Sequence, residues 1–493
     1  MRCKLNRTLP AALLASMLVL SGCAVGPDYV KPDMQVPATF KEQQGWKTAQ
    51  PQDELPRGKW WEIFGDAELN QLVAQVAVSN QNIRAVEAQF RQARALSQQA
   101  RSAYFPTLTG GVSTIRNKPA SNVGNAQNFN PSINTSYRMS LDASWEPDIW
   151  GRVQRSVEAS TAGIQASSAD IEAAKLSAQA GLAQNYFLLR IADARKQLLD
   201  DTVAAYERSL QLTRNQYAVG VVARGDVVAS ETQLKSAQAQ AVDIGVQRAQ
   251  FEHAIAILMG KIPAEFSLAP ATSAFVAVPP QIPLGVASAL LERRPDIAAA
   301  ERRAAQANAS IGVAQAAYFP ALTLSGTLGY QSRSFAQWLT LPSRFWTLGP
   351  ALAQTIFDAG LRRAQKAQAI AVYDQNVANY RQTVLTAFQE VEDNLAALRI
   401  LEEEARLQDD AVKSARESVQ ITRNQYKAGI VDYLNVVNVE TIALTNERTA
   451  LNIQSSRLVA AVLLIKALGG GWDSSELGNS ALGNNEAGKT AQP

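Results

Sequence analysis

Residues 214–222, RNQYAVGVV, return at 423–431 as RNQYKAGIV, and this repetition decides the fold. A second motif keeps the same order, since AYFPTLT at 103–109 returns as AYFPALT at 317–323. Internal similarity at a fixed period is the signature of repeated structural units, so the chain is predicted to consist of two homologous halves. Each half is expected to run as a helix, a pair of strands, a very long helix, the RNQY tip and a returning helix.

The long helices carry apolar residues at every seventh position. In the second half this stripe comprises Val377, Val384, Val391, Leu398, Ala405, Val412, Val419 and Tyr426. A sustained seven-residue repeat predicts a left-handed coiled coil. A helix over 359–426 would be about 100 Å long, several times the roughly 30 Å hydrocarbon core of a bilayer. The returning helices are predicted at about 226–259 and 434–468.

Four shorter segments alternate apolar and polar residues, the pattern of a strand with one buried face. They lie at 105–115, 137–146, 322–330 and, with poorer alternation and Pro350, at 345–357. The edge of a soluble sandwich and the wall of a transmembrane barrel both fit this pattern, but four strands in 493 residues are too few for a sandwich of any size. Barrels in lipid need at least about eight strands and tolerate no open edges, so several chains are expected to share one barrel. The residues expected to face lipid are Leu108, Leu141, Leu324 and Leu328, and those expected to face the lumen are Thr109, Ser140 and Ser325.

The N-terminus has the parts of a secretory signal. Arg2, Lys4 and Arg7 precede an apolar run at 11–20, which ends in Leu20-Ser21-Gly22-Cys23. This pattern predicts a signal peptide over 1–22 rather than an uncleaved anchor, because the apolar run is too short to span a membrane. The four residues also look like a bacterial lipobox, in which Cys23 would become the first residue and carry a covalent lipid such as palmitate.

Composition argues against several classes of function. Lys and Arg total 47 and Asp and Glu 44, and loss of three basic residues with the signal leaves 44 of each sign, which does not favour nucleic-acid binding. Cys3 also leaves with the signal, so no intrachain disulfide is expected. His253 is the only histidine, and neither a metal-ligand cluster nor a phosphate-binding glycine loop occurs in the sequence, so no enzyme, cofactor or metal site is expected.

These signals divide the chain into six segments. The predicted segments are a signal peptide at 1–22, an extended arm at 23–65, a first repeat at 66–260, a linker at 261–283, a second repeat at 284–470 and a disordered tail at 471–493.

Taken together, the lipobox, the two Tyr-Phe-Pro strand starts, ERRPDI at 292–297 and the paired Tyr-x-x-Gly tips resemble the TolC-like outer-membrane efflux proteins, and among them the lipoprotein branch. The resemblance implies a mainly α chain with transmembrane β, assembled as a homotrimer. Its barrel of twelve strands would continue as a helical coiled-coil tunnel into the periplasm. Such a channel is a passive conduit for drugs or other small molecules in multidrug resistance, and its partners are a periplasmic adaptor, an inner-membrane pump and outer-membrane lipid. The implied location is the outer membrane, with an anchor on Cys23.

The resemblance also implies a gate at the periplasmic tip. Tyr426 would bond to Asp226, and Leu434 would constrict the axis. Positions that are often acidic in the family are Asn435 and Asn438 here, which weakens the expectation of strong cation selectivity. Gly220 and Gly429 would supply the left-handed turns that end the long helices. Two simpler interpretations remain open: Asp226 as a helix cap and Tyr426 as a core residue.

Two other classes of protein compete with the channel. A structural or adhesive coiled-coil lipoprotein would also have long helices, but it has no need of alternating hairpins with one apolar face. A periplasmic adaptor would need a β-rich domain beside a single helical hairpin, whereas the helices here dominate and are duplicated.

Replacement of Cys23 by Ser should abolish lipidation without abolishing membrane insertion when a cleavable signal is substituted, because one acyl anchor is marginal beside a barrel. Mass spectrometry of the mature protein and its recovery in the outer-membrane fraction measure the two effects. An unmodified Cys23 in the parent protein would contradict the anchor.

Overall fold

The computed structural model describes residues 24–34, 36–37, 39–42, 59–118, 133–271, 279–280, 282 and 290–472. The predicted signal peptide, Cys23 and nearly all of the predicted tail lie outside the described residues. Much of the predicted linker and the loop between the first two strands also lie outside them.

The elements repeat in the order expected from the sequence. The first half contains α1 (Ala67–Ser79), α2 (Gln81–Ser102), β1 (Thr107–Asn117), β2 (Asn134–Trp145), α3 (Arg152–Ala218) and α4 (Arg224–Leu258). The second half contains α5 (Leu290–Arg293), α6 (Pro295–Ala316), β3 (Ala321–Ser332), β4 (Arg344–Ala353), α7 (Leu361–Lys427) and α8 (Tyr433–Ala467). The two long helices have 67 residues each and the two returning helices 35 each. The described chain is therefore mainly helical with a small sheet, as predicted.

The one helix expected before the strands of the first half is divided into two, α1 and α2. Asp66 caps α1 by accepting from the Glu68 and Leu69 N–H groups, each at 3.0 Å. Asn80 then interrupts the helix and caps α2, since its Oδ1 accepts from the Ile83 N–H at 3.2 Å. A side-chain carboxamide that satisfies the free N–H groups of a new helix start compensates for the break.

The four strands form one antiparallel sheet in the order β1-β2-β3-β4. The fourth strand forms although its sequence alternates poorly. Pro350 lies opposite Leu324 and belongs to β4, an edge strand of the chain's sheet. Proline is tolerated on an edge strand because the N–H group that it lacks can be one that points away from the sheet.

The chain divides into two compact units, and each takes segments from both halves. The first comprises residues 1–33, 90–166 and 300–380 and contains the sheet. The second comprises 34–89, 167–299 and 381–493 and contains the largest apolar core, whose members include Trp60, Leu69, Tyr186, Val391 and Leu464. The duplication therefore does not produce one compact unit for each half.

In the first unit the start of the arm is bound to the helices that adjoin the sheet. The Val25 N–H donates to the Trp150 carbonyl at 3.2 Å. The Arg155 side chain, 6% exposed, donates to the Asp28 carboxylate at 2.8 Å. Tyr29 Oη donates to Glu301 Oε1 at 3.0 Å. Residues 25–29 are thus held by specific polar contacts.

In the second unit α8 is apolar enough and long enough to cross a bilayer by composition, with a mean hydropathy of 1.3. Half of that apolar window is buried within the protein, and Leu458, Leu464 and Ile465 are each fully buried in the core. A core helix of a soluble unit passes the same test, so we interpret α8 as a packed helix.

Candidate functional site

Both long helices end in the same glycine turn. Gly220 follows the last residues of α3 with φ +77°, and Gly429 follows those of α7 with φ +75°. Nothing lies within 4 Å of a Cβ placed on either residue, so there is room for a larger side chain. Glycine is favoured at both positions because the backbone there is left-handed. We call the ends of α3 and α4 around Gly220 the first tip hairpin, and the ends of α7 and α8 around Gly429 the second tip hairpin.

Tyrosines of the second tip hairpin bond to the first. Tyr426 is 5% exposed, and its hydroxyl donates to Gln216 Oε1 at 2.6 Å and lies 3.4 Å from Thr213 Oγ1. Its ring lies 5.6 Å from that of Tyr433, whose hydroxyl donates to Ser230 Oγ at 3.0 Å. The hydroxyl groups of these two adjacent tyrosines therefore form a seam of largely buried polar contacts that joins the two hairpins.

The hydrogen bond predicted between Tyr426 and Asp226 is not formed within the chain. The single hydroxyl proton of Tyr426 goes to Gln216 instead. Asp226 Oδ2 accepts from the Ala223 N–H at 3.2 Å and so caps α4, the simpler role that the sequence left open. Burial raises the pKa of Tyr426, the Thr213 hydroxyl lowers it, and the charge of Asp226 raises it. Within the chain, the two predicted partners are therefore bonded to other groups.

The remaining predicted tip residues share an exposed position at the start of α8. Leu434 is 65% exposed, and Asn435 and Asn438 are exposed as well. Tyr433 and Val436, each 1% exposed, face the protein interior from the same turns of the helix. The structure therefore places the three predicted pore residues together, on a surface that nothing in the described chain covers.

The duplicated tyrosines differ in burial. Tyr217 of the first tip hairpin is 47% exposed, whereas Tyr426 of the second is 5% exposed. The same motif thus gives a solvent-facing ring in one half and a seam contact in the other.

A buried ion pair lies behind the tip, and sequence reasoning missed it. The Glu440 side chain on α8 is 2% exposed, and Arg423 Nε on α7 donates to its Oε1 at 2.7 Å. Gln233 Nε2 on α4 lies 3.5 Å from the other carboxylate oxygen. Burial raises the pKa of Glu440, although Arg423 and Gln233 lower it. A carboxylate among the inward positions of an otherwise apolar helix face was the signal that could have revealed the pair.

The sheet has one apolar face across all four strands, and its opposite face is mainly polar on β1 to β3. Leu141 is opposite Gly110 and Leu328, and Leu328 is opposite Trp346, so these positions share a face. The large apolar residues of that face include Leu108, Val112, Met139, Leu141, Leu324, Leu328, Trp346, Leu348 and Leu352, all at least 36% exposed in the single chain. The opposite face includes Thr109, Ser140, Asp142, Ser325 and Thr327. This register matches the two faces that the sequence predicted.

Aromatic residues lie near both ends of β2. The Tyr137 ring lies 5.5 Å from that of Phe335 and 5.9 Å from that of Trp338. Near the other end, Trp145 Nε1 donates to the Tyr104 carbonyl at 3.0 Å. The eight steps from 137 to 145 span about 26 Å at 3.3 Å per residue. Barrels in lipid carry an apolar band between two aromatic girdles, and this sheet likewise has aromatic residues near both ends of β2.

The described residues contain no group of three or more His, Cys, Asp or Glu side chains that could hold a metal ion. His253 is exposed on α4. The candidate site is therefore built from the tip hairpins and the two-faced sheet.

Comparisons with known proteins agree with these features. A family model described as outer membrane efflux protein matches residues 72–261 and 286–470. The probable efflux pump outer membrane protein TtgC of Pseudomonas putida is 29% identical over 464 residues, which cover 94% of this chain and 95% of that protein. The cation efflux system protein CusC of Escherichia coli is 29% identical over 459 residues, covering 92% and 97%. The solved structure of the outer-membrane channel OprN matches with a TM-score of 0.85 at 30% identity, covering 91% of this chain and 100% of that one.

Lysine substitutions on the two faces of β3 should have unequal effects. Leu328→Lys places a charge on the apolar face and should cost about 2–4 kcal/mol in lipid near the bilayer midplane, whereas Ser325→Lys on the polar face should be tolerated. The amount of folded protein in outer-membrane fractions measures the difference. Equal recovery of the two variants would contradict the assignment of the faces.

Proposed function

The chain belongs to the outer membrane efflux protein family, and we propose that three copies assemble into one channel through which small molecules leave the cell. As a member of that family it is an outer-membrane efflux channel. In the proposed trimer each chain contributes its four strands to a barrel of twelve, and the long helices of the three chains form a tunnel into the periplasm.

The observation that carries a barrel shared between copies is the pair of open sheet edges. β1 pairs only with β2, and β4 only with β3. Each edge strand therefore leaves a row of backbone N–H and C=O groups without a partner in the sheet of one chain. Such groups cost several kcal/mol each in hydrocarbon, and a closed barrel satisfies them. In a ring of copies, β4 of one chain pairs with β1 of the next.

The exposed apolar face supports the same arrangement. Leu108, Leu328 and Leu348 are 65%, 52% and 79% exposed in the single chain. Removing such a side chain fully from water stabilises a structure by about 1.5–3 kcal/mol. Contact with lipid on the outside of a barrel would remove these side chains from water. A coiled-coil rod, the competing class, gives this face no partner, so the channel explains the sheet better.

We assign the closed end of the channel to the tip hairpins. The seam through Tyr426, Gln216 and Ser230 holds the two hairpins of each chain together. The exposed side chains of Leu434, Asn435 and Asn438 from three copies would narrow the axis. Because two of these side chains are neutral amides, the constriction is expected to select by size more than by charge.

The proposed channel is a passive conduit with no cofactor. A periplasmic adaptor would dock it to an inner-membrane pump, which supplies the energy and the choice of substrate. The relatives fit this division of labour, since one is described as an efflux pump protein and another as part of a cation efflux system. A lipid on Cys23, which lies outside the described residues, would anchor each chain to the outer membrane in addition to the barrel.

The mass of the purified protein in mild detergent and its conductance in a planar bilayer test this function. We expect a particle of three chains that conducts in small, well-defined steps. A stable monomer, or a trimer that never conducts under any condition, would overturn the proposal.

Loosening the seam should open the channel. Tyr426→Phe removes the bond to Gln216, worth about 1 kcal/mol per chain, and Asp226→Ala removes the cap of α4. The double variant should raise the open probability in single-channel recordings, and Leu434→Ala should raise the conductance of the open state. Tyr217→Phe is the matched control, because Tyr217 carries the same motif position but is 47% exposed. If the double variant and Leu434→Ala behave like the parent, the closed end lies elsewhere.

A further inference from the structure

Glu440 is a charged group buried behind the seam between the tip hairpins. Its side chain is 2% exposed, while its cation partner Arg423 is 40% exposed. Both residues belong to the second tip hairpin, and Arg423 Nε lies 2.7 Å from Glu440 Oε1. The first tip hairpin covers the carboxylate from the other side, with Gln233 Nε2 at 3.5 Å. Separation of the two hairpins would therefore leave the ion pair intact but expose it to water.

We propose that Glu440 is a positioning residue of the gate, which opposes closure of the tip hairpins at neutral pH and allows firmer closure in acid. This inference rests on the proposed channel function. The buried carboxylate then contributes to the free-energy difference between the closed and the open tip, and it acts through the residues of the seam.

The Glu440 carboxylate loses most of its water when the tip closes. The attraction between buried opposite charges often fails to offset the loss of hydration, and the offset is smaller when one partner remains in contact with solvent. Arg423 is such a partner. The remaining close contact, Gln233, is neutral. Closure of the tip therefore has an unfavourable free-energy contribution, because it removes water from the Glu440 carboxylate.

Glu440 lines a groove between α3, α7 and α8 with a volume of about 550 Å³. Other titratable and charged groups face this groove. They are Asp201 and Tyr206 from α3, Arg416, Arg423 and Lys427 from α7, and Glu447 from α8. Arg416 donates to Glu447 at 2.5 Å, so that acid has its own partner. α4 faces Glu440 with the neutral Gln233. The nearest compensating charge for Glu440 is therefore Arg423.

The direction of the pH effect follows from the raised pKa of Glu440 in the closed tip. Burial raises it above the usual 4.5 in spite of Arg423. When the hairpins separate and the carboxyl becomes hydrated, its pKa returns toward that usual value. The closed tip therefore binds the proton more tightly than the open tip. The extra stability of closure is fully present below pH 4.5 and is lost as the pH rises through the raised pKa.

The test compares Glu440→Gln with the parent trimer in planar bilayers at about pH 5 and about pH 7.5. The parent should open more often at the higher pH, because the proton that favours the closed tip is lost there. Glu440→Gln keeps the shape and should stay at the low, acid-like open probability at both pH values. Glu447→Gln, seven residues further along α8, is the matched control and should retain the parental pH response.

A second readout separates failure of this inference from failure of the channel function. Hydrogen exchange at α4 amides near Gln233, corrected for the intrinsic effect of pH on exchange, should slow in Glu440→Gln at about pH 7.5 and remain parental in Glu447→Gln. A pH response that survives in Glu440→Gln, or more frequent opening of that variant than of the parent, would overturn the role of Glu440. A parent trimer that never conducts would overturn the channel, while the exchange measurement would still report on the seam.

Discussion

Backbone hydrogen bonding in lipid is the constraint on which the assembly depends. β1 and β4 have 11 and 10 residues, and each lies at an edge of the sheet. Water can satisfy an open edge, but hydrocarbon cannot. A chain that places this sheet in a membrane must therefore meet copies of itself, and the apolar face decides which side of the resulting wall is turned toward lipid. The need for more than one chain in the barrel then follows from the backbone, before any side-chain contact between copies is considered.

The tip shows how a duplicated sequence can take on two roles. Both RNQY motifs end a long helix of 67 residues at a glycine with positive φ. Only the second tyrosine turns inward, where it meets Gln216, the third residue of the first motif. One copy thus supplies the donor and the other the acceptor. Duplication gives the chain two similar tip motifs. Because only the tyrosine of the second motif is buried, the two motifs bind each other and do not play the same role.

The sequence was informative wherever a periodic pattern had one physical cause. Heptads predicted the long helices because a coiled coil needs a continuous apolar stripe, and alternation predicted the faces of β1 to β3 because strand side chains alternate. β4 was harder to predict, since Pro350 lacks a backbone N–H and fits only where that group is not needed for the bonds to β3, and the bonds to β3 are a property of the paired sheet. The break at Asn80 depends on one capping side chain within an Ala- and Gln-rich stretch.

Single polar contacts at the site could not be predicted. The resemblance pointed to Asp226 as the partner of Tyr426, but Gln216 lies closer and takes the only proton. The pairing of Glu440 with Arg423 joins two helices whose rotation about their axes is fixed by packing. If either helix were shifted by one residue, these contacts would change, but the periodic pattern in the sequence would be the same. Hydrogen-bond partners therefore require coordinates, whereas element types do not.

The docking of the arm has a mechanical consequence for the N-terminus. A Cβ added to Gly151 would lie 2.6 Å from the Ala24 Cβ, and one added to Gly26 would lie 2.4 Å from the Gly312 Cα. The arm is thus seated on glycines that leave it no room to shift. A larger side chain at Gly151 or Gly26 would therefore have to displace the start of the arm from its place against the β2–α3 junction and α6.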